Sequence, residues 1–143
     1  MVIEDIESIY RIECESFSVP WSIEALKQEV SNPIAFYHVA AIGDQVVAYG
    51  GMRDVLGEGE ITNIAVDKDY RGQGIGKNLL NSLLEHARQR AMDTITLEVR
   101  SSNEIAKTLY GSYHFREIAI RKAYYQKPIE DAIIMQLQIE KAY

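Results

Sequence analysis

Apolar positions recur along the chain with two different periods. Ile6, Ile9, Tyr10 and Phe17 predict an amphipathic first helix. Pro20-Trp21 interrupts it. Ser22 is placed to cap a second helix that would bury Ile23, Leu26 and Val30. The runs Ala35 to Ile42 and Gln45 to Met52 predict two strands, joined by the hairpin signal Gly43-Asp44. Glu60 to Val66 predicts a third. After Arg71-Gly72-Gln73-Gly74-Ile75-Gly76 the period returns to that of a helix, with Leu79, Leu80, Leu83, Leu84 and Ala87 on one stripe. Thr94 to Val99 alternates strictly, with Ile95, Leu97 and Val99 on one face and Thr94, Thr96 and Glu98 on the other. Ser101 and Glu104 have the spacing of a capping box before a short helix containing Ile105, Ala106, Leu109 and Tyr110. Two strands, about 115–121 and 132–139, close the chain. The order α-α-β-β-β-α-β-α-β-β predicts a mixed α/β (α+β) class, a mixed sheet with helices packed on it.

Composition changes this picture little. The 143 residues are 47% hydrophobic and 25% charged, the size and balance of one globular domain spanning 1–143. The longest apolar run, Ile34 to Ile42, is nine residues and contains His38, so no membrane-crossing helix is expected. Acidic Glu4, Asp5 and Glu7 argue against a secretory signal. The lone cysteine, Cys14, has no partner within the chain and is expected to pack on the first helix. No Cys/His spacing fits zinc, so no metal is expected. The setting expected is the reducing cytoplasm.

Charge adds more. The net charge of −6 argues against general nucleic-acid binding. Residues 1–70 carry −9 and residues 71–143 carry +3. Two readings stand: plain solubility, or a polyanionic ligand on the second half with a cationic partner on the first.

The stretch Arg71 to Gly76 holds candidate chemistry. Three glycines in five residues let the backbone approach a ligand, and the following helix offers unpaired N–H groups at its positive end. Arg71 and Lys77 add charge. A tight strand–helix turn is the other reading. The spacing is neither that of a P-loop nor that of the dinucleotide fingerprint. Arg71-x-x-Gly74-x-Gly76 suits a pyrophosphate held without a metal.

This loop between a strand and a long helix resembles the coenzyme A loop of the GNAT N-acetyltransferases. Asn63-Ile64-Ala65-Val66 and Asp69-Tyr70 resemble the strand and turn before it. Pro20-Trp21-Ser22, Leu97-Glu98-Val99-Arg100, Ser102-Asn103, Leu109-Tyr110, Arg121-Lys122, Tyr124-Tyr125 and Glu130-Asp131-Ala132 resemble the family's ribosomal-protein alanine N-acetyltransferases. The resemblance implies a mostly antiparallel sheet with two strands splayed at an acetyl-CoA site. It implies acetyl transfer to a protein N-terminal α-amine, the acceptor being the N-terminal alanine of the eighteenth small-subunit ribosomal protein. A small-amine or lysine acetyltransferase, and a non-catalytic acyl-CoA-binding module, are the alternatives.

The resemblance also assigns roles. Glu98 would be the general base, acting through a water, with partial burial raising its pKa. Tyr110 would protonate or hydrogen-bond the leaving thiolate. Ile64, Ala65 and Val66 would bind the acetyl carbonyl and pantetheine through backbone groups. Arg71, Gly72, Gln73, Gly74, Ile75, Gly76 and Lys77 would cradle the pyrophosphate, and Asn103 would hold the pantetheine or phosphate arm. Trp21, Tyr124, Tyr125, Glu130 and Asp131 would flank the acceptor, the acidic pair forming a rim for a cationic amine. Read from the residues alone, Glu98 is also an ordinary strand carboxylate, Tyr110 a core tyrosine, Asn103 a helix cap, and the 124–131 cluster a solvated hairpin. His114 stands where the family has glycine, Ala119 and Ala123 where it has glycine or a polar residue. The loop from Tyr125 to Glu130 is short, and Met1-Val2 leaves no room for the family's leading strand. Expected partners are acetyl-CoA and a protein N-terminus, with no direct nucleic acid and no membrane. The chain is expected to be a monomer or weak dimer.

Overall fold

In the computed structural model, which describes residues 1–140, a 3₁₀ turn (Ile3–Asp5) leads into α1 (Ile6–Ser16) and then α2 (Ile23–Val30). Strands β1 (Ala35–Ile42), β2 (Gln45–Val55) and β3 (Glu58–Val66) follow. A second 3₁₀ turn (Lys68–Tyr70) precedes α3 (Ile75–Gln89). The remaining elements are β4 (Thr94–Arg100), α4 (Glu104–Ser112), β5 (Arg116–Tyr125) and β6 (Glu130–Gln138). The six strands form one sheet in the order β1-β2-β3-β4-β6-β5. Among the described residues only β3 and β4 run parallel. A mixed sheet flanked by helices is the class the pattern predicts, and its mostly antiparallel pairing is what the resemblance implies.

The two periods account for the two cores. Leu79, Leu80, Leu83, Leu84 and Ala87 of α3 are buried against Ile95, Leu97, Val99, Ile133 and Met135 of the sheet. Each such leucine contributes about 2 kcal/mol of transfer free energy. On the other side, Ile6, Ile9, Ile12 and Leu26 pack with Tyr37, Val46, Tyr49 and Ala65. The strict alternation of β4 thus puts its apolar side chains in the α3 core. It leaves Thr96, Glu98 and Arg100 half-buried on the opposite face.

Several local expectations are corrected. Cys14 is exposed, because the helical phase of α1 turns the adjacent Glu13 inward. Phe17 falls just beyond α1 and is exposed. Ile23 opens α2 and is exposed; Leu26 and Glu29 are the buried pair. The Ser22 cap is as predicted, its hydroxyl accepting from the Ala25 N–H at 3.1 Å. The Ser101–Glu104 capping box does not form. Asn103 caps α4 instead, accepting from the Ala106 N–H at 3.1 Å, while Ser101 turns to Glu130. The third strand starts two residues earlier than predicted, and β2 and β5 run further, to Val55 and Tyr125.

Candidate active site

The parallel seam positions the site. β3 and β4 pair only at Glu58–Glu60 with Thr94–Thr96, after which they part. A bulge opposite Gly51 and Met52 leaves Thr62 as the extra residue of β3. The Tyr37 ring lies across Gly51, where any Cβ would strike it, and its hydroxyl shares a hydrogen bond with Thr62 at 3.0 Å. Beyond this bulge Ile64, Ala65 and Val66 pair with β2 on one side and with no strand on the other. No strand pairs with them on the β4 side among the described residues, the splay the resemblance implies, and the Val66 carbonyl is taken by Arg71 Nε.

The glycine loop lies at the end of that open edge. Gly72 and Gly74 both have positive φ, +79° and +82°, the left-handed region glycine occupies without strain. Gly74 is the N-cap of α3, and no side chain caps the helix. The first intrahelical bond runs from the Asn78 N–H to the Gly74 carbonyl, so the N–H groups before it have no intrahelical acceptor. A Cβ at Gly72 or Gly74 would have open space around it, and one at Gly76 would lie 3.6 Å from Val66. This is a shallow, bare, electropositive cradle, and it fits a linked pair of phosphates. Gln73, Gly72 and Lys77 are exposed around it, and Ile75 is half-buried. Arg71 is engaged at its base. Its Nε donates to the Val66 carbonyl at 3.0 Å and its NH2 to Ser16 Oγ at 3.3 Å, tying the loop to α1.

Glu98 and Tyr110 stand on either side of β4. Glu98, 27% exposed, pairs with Arg121 of β5 at 3.1 Å. The Tyr124 phenol lies beside it, and the nearby Glu98 carboxylate together with burial pushes the Tyr124 pKa up. Tyr110 packs on Phe115 at 5.6 Å between ring centroids, in the α3 core. Its hydroxyl makes no hydrogen bond among the described residues, and burial pushes its pKa up to about 12. Asn103 uses Oδ1 to cap α4.

The face carrying Glu98 has two walls. On one side Trp21 donates its backbone N–H to Glu13 at 2.8 Å and lies under the Arg53 guanidinium at 5.6 Å. On the other, Tyr124 and Tyr125 meet edge to face at 5.1 Å, and burial pushes Tyr125 up to about 12. Glu130 accepts from the Ser102 N–H at 2.8 Å and pairs with Arg100 at 3.3 Å. Asp131 accepts from the Ala123 N–H at 2.8 Å and pairs with Lys122 at 3.4 Å. These bonds hold both carboxyl groups below the usual carboxylate range. The two acids, which open β6, are engaged by the end of β4 and by β5.

Three neighbours have no role in the sequence reading, although Arg100 and Arg121 lie in strings that resemble the family. Arg121 reaches Glu98 across the sheet. Arg100, two residues after Glu98 and so on its face, bridges two loops. Glu13, fully buried, accepts from the Trp21 N–H, from Asn63 Nδ2 at 2.7 Å and from the Tyr49 hydroxyl. Burial raises its pKa. For their placement, only the period-2 offset from Glu98 to Arg100 was visible as a signal. His114 has φ +71° and Ala123 φ +50°, which explains the glycine expected at the former and tolerated at the latter. A separate cavity of about 350 Å³ lies between β1 and α3, lined by His38, Val47, Gln73 and Leu79 among others, away from Glu98. Among the described residues no group of three His, Cys, Asp or Glu could hold a metal, and no helix is long and apolar enough to cross a membrane.

Known proteins share this fold. The profile of the family described as "Acetyltransferase (GNAT) family" matches residues 6–115. The chain is 37% identical over 137 residues to the [ribosomal protein bS18]-alanine N-acetyltransferase of Escherichia coli strain K12, covering 94% of this chain and 92% of that protein. It is 36% identical over 144 residues to the protein of the same name from Haemophilus ducreyi, covering 97% of each. The crystal structure of the ribosomal-protein-S18-alanine N-acetyltransferase from Escherichia coli matches with a TM-score of 0.92 at 35% identity, over 100% of this chain and 93% of that one.

Proposed function

The chain belongs to the GNAT acetyltransferase family, and from that premise we propose that it transfers the acetyl group of acetyl-CoA to the N-terminal alanine of ribosomal protein bS18. The carrying observation is the parting of β3 and β4 beside an uncapped helix N-terminus, with a carboxylate and a phenol flanking the same strand. The near full-length similarity to proteins named for that acceptor supports the choice of substrate.

In this reading the cradle of Gly72, Gly74 and Gly76 holds the pyrophosphate, with Gln73, Ile75 and Lys77 around it and Arg71 bracing its base. Asn103 retains its amide nitrogen for the pantetheine arm. The backbone of Ile64, Ala65 and Val66, apart from the Val66 carbonyl that Arg71 occupies, takes the acetyl carbonyl and the pantetheine amides, as peptide donors in a water-poor cleft do effectively. Glu98 takes the proton of the incoming ammonium through a water. The amine nitrogen then bonds to the thioester carbon; as the C–S bond breaks with its electron pair on sulfur, the nitrogen sheds its second proton, which passes through water to the thiolate and leaves it as the free thiol. Tyr110 meets that sulfur. Full proton transfer from a phenol at about 12 to a thiolate whose thiol lies near 8.5 is uphill by about 5 kcal/mol. Hydrogen-bond donation to the developing thiolate is therefore the role Tyr110 fills. Trp21 and the Tyr124–Tyr125 pair wall the acceptor, with Glu130 and Asp131 holding the loops behind them.

The test is an equimolar peptide mixture, incubated with enzyme and acetyl-CoA and read by mass spectrometry. It contains the bS18 N-terminal peptide, the same peptide with its α-amine blocked, a lysine-bearing control and a small polyamine. Acetylation of the free α-amine peptide alone is expected. Transfer to the lysine or the polyamine, but not to the α-amine, would falsify the acceptor assignment. Binding of acetyl-CoA with no transfer at all would leave only the non-catalytic module.

A further inference from the structure

We propose that Arg100 is a positioning residue for the acceptor peptide: its guanidinium clamps the α1–α2 segment to the β5–β6 turn and so fixes the width of the channel leading to Glu98. The inference rests on the acceptor reading above, and it concerns a residue to which no role has been given there.

Arg100 ends β4, two positions after Glu98, and period 2 puts both side chains on one face. From that place the guanidinium reaches two segments distant in sequence. NH2 donates to Ser18 Oγ at 3.2 Å and to the Gln126 carbonyl at 3.0 Å. NH1 donates to the Pro128 carbonyl at 3.1 Å and to Glu130 at 3.3 Å. The plane also lies over the Tyr125 ring, 4.4 Å from its centroid. Ser18 sits two residues before Pro20-Trp21, and Gln126 directly follows Tyr124-Tyr125. Arg100 therefore joins the two walls of the face that carries Glu98. Apart from Arg100, one hydrogen bond joins these segments directly among the described residues, from Ser18 Oγ to the Gln126 carbonyl at 3.3 Å.

The chemistry favours arginine for this task. Two carbonyls, a hydroxyl and a carboxylate are spread around one planar fork, an arrangement that a lysine ammonium on a flexible stem does not match. Neither buried cluster includes Arg100, so its removal frees the loops and leaves the cores. Loops that must be ordered at the moment of peptide binding charge that ordering to peptide affinity. The chemical step, once the peptide is seated, is unaffected.

Steady-state kinetics with the bS18 N-terminal peptide separate these quantities. For Arg100→Gln the peptide KM is expected to rise about tenfold or more, each tenfold corresponding to about 1.4 kcal/mol. The kcat at saturating peptide and the acetyl-CoA KM should stay within about twofold of the parent, since neither reports loop ordering. Arg100→Lys should resemble Arg100→Gln more than the parent. Ser18→Ala, which loses one of the clamped partners with Arg100 intact, should raise peptide KM by a smaller factor. An unchanged peptide KM in Arg100→Gln overturns the clamp. So does a joint fall of kcat, acetyl-CoA affinity and melting temperature, the mark of general structural damage. Should Arg100→Gln fail to fold, an unchanged peptide KM in Ser18→Ala is the overturning result. A parent enzyme that acetylates no peptide α-amine refutes the acceptor reading and the clamp with it. A parent that does so, beside a variant with unaltered KM, refutes the clamp alone.

Discussion

Glu98 and Tyr110 show how two residues on one strand–helix unit come to differ in environment. Glu98 keeps a wet side, a cation at 3.1 Å and a phenol beside it. Tyr110 has neither a charge nor a hydrogen-bond partner among the described residues, and sits against Phe115. An unpartnered hydroxyl in an apolar setting is costly unless something arrives to use it. Replacing it with Phe should then cost the free protein little. It should lower kcat by about 10- to 100-fold, the worth of one hydrogen bond to a developing charge, with acetyl-CoA affinity within about twofold. Glu98→Gln should lower kcat by about 10²- to 10⁴-fold, the span of general-base catalysis. Stopped-assay kinetics with isothermal titration of acetyl-CoA checks both. An unaltered kcat in either variant removes that residue from the chemistry. Both candidates were legible in the sequence because Leu97-Glu98-Val99-Arg100 and Leu109-Tyr110 are local strings. The contacts of Arg121 and Glu13 were not. Arg121 meets Glu98 only after β5 folds back beside β6. The hydrogen-bond partners of Glu13 include Tyr49 and Asn63, 36 and 50 positions away. A buried carboxylate on an amphipathic helix looks like a solvated one until those partners are placed.

At the scale of elements, the loop into α3 decides what the molecule can hold. Sequence periodicity located α3, its stripe and the glycines, because each is a short-range property. It could not show which glycines need their backbone freedom and which need only their smallness. Gly72 and Gly74 have positive φ, so substituting either strains the chain whatever the ligand does. Gly76 has ordinary helical geometry, and a Cβ there would meet Val66 at an unstrained 3.6 Å. Gly76→Ala is therefore the cleaner probe of close approach. Alanine favours the helix over glycine, so the melting temperature should hold or rise by a few degrees. Acetyl-CoA affinity should fall about tenfold or more if the phosphates lie on the bare backbone, a loss of about 1.4 kcal/mol or more. Titration calorimetry on a thermally intact variant with undiminished affinity would show that the loop is only a turn. The capping box at Ser101 failed for a related reason. Ser101 and Asn103 can both cap a helix, and the choice fell to Asn103 because Glu130, nearly 30 residues on, drew Ser101 and Ser102 to itself.

Across the whole molecule, stability and site draw on opposite titrations. On the side of α3 away from Glu98, His38 shares hydrogen bonds with Ser82 at 2.6 Å and with His86 at 3.3 Å, and Phe36 stacks on His86 at 3.8 Å. Burial lowers both imidazoles below 6.5; the His86 charge adds to this for His38, and Arg90 for His86. The folded state thus resists protons that the unfolded chain accepts. Stability from this pair is complete above about pH 6.5, and it is lost as pH falls through the lower folded values. Glu13 runs the other way. Burial raises its carboxyl, so the folded state takes up a proton sooner than the unfolded chain and gains stability as pH falls toward the unfolded value. Asp67, Glu130 and Asp131 are held low by their hydrogen bonds. Their contribution is complete above their unfolded values, about pH 4, and disappears only below that. The two imidazoles, whose ordinary value of 6.5 lies between pH 7.5 and 5, therefore lose stability over that interval, and Glu13 contributes with the opposite sign. Removing one histidine exposes the balance. Thermal melts followed by circular dichroism should show the parent losing more melting temperature than His38→Gln over that interval. A single group contributing about 1 kcal/mol corresponds to a few degrees in a chain of this size. Parallel pH dependences in the two proteins would mean that the imidazole pair carries no linkage, and that acid loss in this range has another source.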